Sequence, residues 1–140
     1  MKSIQIKKII IWAHNTHVEE NFPEGYNSKL MGHYLKEKYK EDYYSLGLFT
    51  YEGKAYQFWI DNMIHFKNDD STAIENRFFK TGKTAAFLDL SGIKLNQSTQ
   101  WLFETNTAFE LENGGTTPFI PIQRSDGILS VKFSKTPTYD

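Results

Sequence analysis

Two imidazoles and an amide crowd one short stretch of the chain: His14, Asn15 and His17, within Ile9-Ile-Ile-Trp-Ala-His-Asn-Thr-His-Val18. A histidine near its unperturbed pKa of about 6.5 takes or gives a proton at neutral pH. A second histidine and an asparagine can hold a water or polarise a carbonyl by hydrogen bonds. Such a set suits activation of water for attack on an ester or amide, without saying which bond. The plainer reading is that both histidines are ordinary polar residues leaving a strand. A single His is more often structural than catalytic.

Other chemistries have no footprint in the sequence. There is no Gly-x-Ser-x-Gly elbow and no Gly-rich phosphate loop of the Walker or dinucleotide kind. His14-x-x-His17 is not His-Glu-x-x-His, spacing offers no third ligand, and Glu19 and Glu20 are acids of a kind common in loops. No metal and no cofactor are therefore expected. The absence of cysteine excludes thiolate chemistry and disulfides and suits a reducing compartment. A net charge of -1 gives no electrostatic case for nucleic acid or an anionic membrane. No apolar run approaches the roughly 20 residues that span a bilayer, and residues 9–13 are too short for a signal peptide. A cytoplasmic protein is expected.

The elements that must position the histidines follow from patterning. Ile9 to Trp12 form a continuous apolar, β-branched run, which reads as a strand buried on both faces. The abrupt polar switch after it places His14 and His17 beyond the strand's carboxyl end, where open α/β sheets hold ligands. Ser28 can cap a helix over 29–39 whose Leu30, Met31, Tyr34 and Leu35 face the core. Gly32 inside it suggests close approach of a neighbour. Residues 43–50 read as a second strand, Glu52-Gly53 as a turn, and 54–60 as a returning hairpin strand. Ser71 or Thr72 can cap a second helix over 72–80, ending at Gly82. Residues 84–90 and 128–133 read as further strands, the last after an Asp126-Gly127 turn. At 140 residues this makes a single domain, residues 1–140, of α/β class with a mostly parallel sheet. The 16% aromatic content can fill its core despite a mean hydropathy of -0.54.

The residues also carry a resemblance. Ile9-Ile-Ile-Trp-Ala-His-Asn-Thr-His-Val18 resembles the Trp-Ala-His-Asn-x-His signature of the erythromycin esterase family. The match continues in order through Met31-Gly32-x-Tyr34-Leu35, Tyr43-Tyr44-Ser45-Leu46-Gly47, Glu52-Gly53, Phe87-Leu-Asp-Leu90, Ser125-Asp-Gly-Ile-Leu129 and Thr136-Pro137. It implies a three-layer α/β/α fold with a deep cleft and a metal-independent hydrolase. In characterised members a histidine-activated water opens a macrolide lactone, an antibiotic-resistance type of activity. Many members have no known macrolide activity, and some carry a label of succinoglycan biosynthesis. The motif histidines correspond to His14 and His17 as catalytic residues, with Asn15 between them as a substrate contact. Glu52, from the neighbouring strand's loop, is expected beside them.

Family members are much longer, and the resemblance covers their C-terminal part. The segment carrying the principal histidine base, with its acidic and arginine partners, would lie before Met1. The chain is therefore expected to be inactive alone, with a small ester or lactone as substrate and a missing N-terminal half or self-association as its partnership. The alternative is a non-catalytic remnant or interaction module that keeps the fold. Asp126 is assigned to its turn, and neither Arg77 nor Arg124 to the chemistry.

Overall fold

The computed structural model describes residues 8–21, 29–57, 60–110 and 115–135. Its longest element is the twelve-residue strand β1 (Leu46–Gln57), in which Gly47, Phe49, Tyr51 and Gly53 are buried at every second position. That period of two turns one face of the strand into the core. β2 (Asn62–Lys67), β3 (Ala85–Asp89) and β6 (Gly127–Ser134) complete a four-stranded sheet of order β2-β1-β6-β3. β4 (Asn106–Glu110) and β5 (Gly115–Phe119) form a separate two-stranded sheet. The helices are α1 (Asn15–Val18), α2 (Met31–Tyr39), α3 (Ile74–Phe79) and α4 (Pro121–Arg124).

The core joins both sheets through Phe49, Ile74, Leu90, Leu102, Ala108, Phe119 and Ile128. Phe49 meets Phe119 edge to face at 5.2 Å between centroids, and Phe66 stacks on Phe109 at 5.0 Å. α3 lies against β1 and β6, burying Ile74 and stacking Phe79 on Tyr51 at 4.0 Å. A short 3-10 turn, Gln100–Leu102, inserts Leu102 into the same core. No described helix is long and apolar enough to cross a membrane.

The sheet is not the mostly parallel one expected. Among the described residues only β1 and β6 run parallel; β1–β2, β3–β6 and β4–β5 are antiparallel, so the sheet is mixed. The strand expected over 84–90 is present as β3 but runs antiparallel to β6, and two further segments differ from their reading. Residues 8–14 join no ladder, and Ile9, Ile10, Ile11 and Trp12 are exposed, Ile10 by 92% and Trp12 by 83%. An apolar run becomes a strand only if a neighbour pairs its N–H and C=O groups. Here the edge of β1 at Leu48 is taken by the Asn15 side chain instead. Gly53, read as part of a turn, lies inside β1 opposite Ser134. A Cβ at that position would come within 2.9 Å of the Ser134 carbonyl oxygen, so the glycine permits close strand approach. The chain reverses later, where Asp61 adopts a φ of 49° before β2.

The helices expected over 29–39 and 72–80 are present as α2 and α3; the proposed Ser28 cap lies outside the described residues. α2 does not bury the expected face, for Met31 and Tyr34 are exposed. It buries Gly32, where a Cβ would overlap the carbonyl oxygens of Val18 and Glu19. The close approach suggested by a mid-helix glycine is thus made by the segment that follows the histidines.

Candidate functional site

His14 is the N-cap residue of α1, with ψ at 148°, and its Nδ1 hydrogen-bonds Thr16 Oγ1 at 3.0 Å. Asn15 is fixed at both ends of its amide. Its Nδ2 donates to Leu48 O at 2.7 Å, and its Oδ1 accepts from Leu48 N–H at 2.9 Å. The side chain thereby copies the pairing a neighbouring strand would offer β1. His17 closes the turn through its backbone N–H, which donates to His14 O at 2.9 Å, while its ring is exposed.

His14 and Asn15 stand on the edge of a cavity of about 870 Å³. Its walls are mainly apolar: Trp12 and Ala13 before the turn, Leu48 and Phe49 from β1, Met63 and Phe66 from β2, and Phe109 from β4. Polar groups enter it from Thr50, Lys54, Glu110 and Ser134. A volume near the upper end of ordinary ligand pockets, with mainly apolar walls and a few polar groups, is what a small-molecule pocket requires.

The expected site residues do not all converge. His14 and Asn15 line the cavity; His17 is not among its lining residues. Glu52 lies within β1, its Oε1 3.2 Å from His65 Nε2 across the β1–β2 pair. Among the described residues no group of three His, Cys, Asp or Glu side chains could hold a metal ion.

Behind the turn lies a polar seam invisible to spacing rules. Arg124, at the end of α4, directs Nε at 2.8 Å and also Nη2 onto Glu19 Oε2, with both side chains almost fully buried. Glu110 Oε1 lies 3.8 Å from the same Nη2, linking the pair to the cavity wall. Burial pushes the Glu19 carboxyl up to about 7, against the Arg124 guanidinium, which favours its charged form. One residue further, Glu20 Oε1 accepts from Lys36 Nζ at 2.9 Å and Ser45 Oγ at 3.0 Å. Lys36 also donates to Asp126 Oδ1 at 2.9 Å, and Asp126 Oδ2 accepts from Ser45 N–H at 2.9 Å. Burial and the neighbouring Asp126 raise Glu20. In Asp126 burial acts upward as well, but donors from Lys36 and Ser45 outweigh it and hold that carboxyl low. Tyr43 donates its hydroxyl to Val18 O at 2.6 Å, and Glu20 N–H donates to Arg124 O at 2.9 Å. Sequence reasoning placed Asp126 correctly at its turn but missed that Glu19, Glu20 and Arg124 anchor the histidine-bearing segment. The one legible hint was Gly32.

A putative hydrolase, YbfO of Bacillus subtilis, is 26% identical over 110 residues, which are 73% of this chain and 25% of YbfO. A solved structure from Bacillus cereus superposes with a TM-score of 0.74 at 23% identity, covering 89% of this chain and 33% of its own. A solved succinoglycan biosynthesis protein gives 0.71 at 19% identity, covering 89% and 32%. The likeness to these two structures establishes a shared fold. The chain spans about a quarter of YbfO's length and about a third of the two solved chains. The family model described as erythromycin esterase matches residues 1–132, nearly the whole chain. Fold, motif order and this match together make the chain a member of the erythromycin esterase family.

Proposed function

We propose that this chain supplies one wall of a hydrolytic cleft in which an imidazole-activated water opens an ester or lactone. The observation that carries the reading is the placement of His14, its ring oriented by Thr16 at the edge of a large apolar cavity. In this reading His14 hydrogen-bonds the attacking water and shares its activation with the principal base of the segment beyond this chain, and His17, three residues further along the same turn, is the second imidazole. Asn15, its amide committed at both ends to Leu48, holds both against β1 at the cavity edge. Family membership supports hydrolysis as the reaction class. Because the relatives are about three times as long, the opposite wall belongs to a segment equivalent to the rest of them. General-base help is worth about 10²–10⁴-fold, and only when base and substrate are both held in place.

The test measures initial rates on p-nitrophenyl butyrate and on a macrolide lactone, with the chain alone and mixed with the portion of a full-length relative that it does not match. In the mixture, His14→Ala is expected to lower the rate about 10²-fold or more. Equal rates for wild type and His14→Ala in the mixture would remove the hydrolase reading. The chain alone should not exceed a His14→Ala/His17→Ala control. An excess of about tenfold alone would show that no second wall is needed.

One observation favours a second reading, a binding module that keeps the fold without the reaction: the exposed apolar run Ile9 to Trp12 beside the cavity. It predicts association with a partner chain and no His14-dependent rate in any mixture.

A further inference from the structure

A single turn of helix does not hold itself, because nucleation fixes several dihedrals for one hydrogen bond. α1 is such a turn, four residues long, and its position must come from contacts outside it. At its start the Asn15 amide grips the Leu48 backbone. At its end stands Glu19, the C-cap residue, whose N–H closes the turn on Asn15 O at 2.9 Å.

Glu19 turns its carboxylate inward, where side-chain exposure is 2%, and meets Arg124 at 4%. Two donors of one guanidinium, Nε and Nη2, converge on Oε2. The backbone of α4 reinforces this contact: Arg124 O accepts Glu20 N–H, and Gln123 O accepts Asn21 Nδ2 at 2.7 Å. Arg124 is itself immobilised by the Phe119 ring, 5.4 Å from its Cζ, and by Pro118 O at 3.5 Å from Nη1.

We infer that Arg124 is a positioning residue, whose buried fork on Glu19 fixes the turn carrying His14 at the cavity edge. The inference rests on the proposed role of His14 for its functional meaning, but not for its geometry. A lysine cannot replace the fork, since it offers one point charge where the guanidinium sends two fixed donors to one oxygen.

The test compares amide hydrogen exchange and histidine ring resonances in wild type, Arg124→Met and Arg124→Lys. In Arg124→Met, exchange at His17 and Glu19, the two amides that close the turn, should quicken by about tenfold or more. The paired amides of β1 and β6 should stay within about twofold. The His14 ring resonances should move, while those of His65, on the far pairing of β1 with β2, stay in place. Arg124→Lys keeps a cation in the buried site and should show the same pattern at smaller amplitude. It is the variant to read if Arg124→Met does not fold. Unchanged turn amides with an unmoved His14 ring, or acceleration spread evenly over turn and sheet, overturns the inference. Neither readout involves hydrolysis, so the rate of His14→Ala in the mixture tests the hydrolase reading separately.

Discussion

Glu75 is a carboxyl group placed where a carboxylate is costly. It lies in the first turn of α3, is 1% exposed, and accepts from Phe109 N–H at 2.8 Å and Asn68 Nδ2 at 3.0 Å. Those donors favour the charged form, but burial dominates and pushes the group from 4.5 up to about 7. One pKa unit is worth about 1.4 kcal/mol, so the change amounts to about 3 kcal/mol of stability linked to pH through this one residue. The sign follows from proton uptake. Between 4.5 and about 7 the folded state holds a proton that the unfolded state has released, so stability falls as pH rises. The contribution is fully present below 4.5 and lost once pH passes about 7. Glu75→Gln keeps an acceptor for Phe109 N–H and cannot ionise. Urea unfolding of both proteins across this range should give similar stabilities at about pH 4.5 and a variant about 3 kcal/mol more favoured, relative to wild type, at about pH 8. Other raised carboxyls, Glu19 and Glu20, tilt both curves alike and cancel in the difference. Two curves that stay parallel over the whole range would refute the reasoning.

Further substitutions probe the segment around the histidines. Gly32→Ala should destabilise by about 1–3 kcal/mol in chemical unfolding, because backbone carbonyls of Val18 and Glu19 occupy the Cβ position. A gain of about 1 kcal/mol, the ordinary helix benefit of alanine, would contradict that contact. Asn15→Ala removes both partners of the Leu48 backbone at a part-buried site and should cost about 1–3 kcal/mol by the same assay. Ile10→Ser/Trp12→Ser should change stability by no more than about 0.5 kcal/mol, since both side chains are exposed. It should weaken any concentration-dependent association seen by light scattering, and a wild type that stays monomeric at high concentration would remove that expectation.

Legibility in the sequence followed how local each determinant was. α2, α3, β3 and β6 could be read because helical spacing and apolar alternation lie within the segment itself. Strand direction could not, since it depends on which distant segment pairs with β1. The run at residues 9–12 has the composition of a buried strand, yet lacks a ladder in the described structure. Gly53 shows the same limit, because a glycine for strand approach and a glycine for a turn are spelled alike. His14 and Asn15 could be singled out by type, but not their division of labour. Only the Leu48 contacts show that Asn15 is committed to the backbone of β1.

That division bears on how the motif works. Within residues 14–20 most polar groups face the protein: Asn15 to Leu48, Thr16 to His14, Glu19 to Arg124, and Glu20 to Lys36 and Ser45. Each buried bond costs desolvation that its partner offsets, so the segment is worth little as net stabilisation. What it supplies is a fixed geometry. A turn of four residues is held at both ends and backed by α2, through a glycine that admits no side chain. A base is effective only if it stays within hydrogen-bond reach of the proton it takes. In the reaction proposed above, the polar residues of this segment are thus the mount, and His14, at the edge of the cavity, is what is mounted.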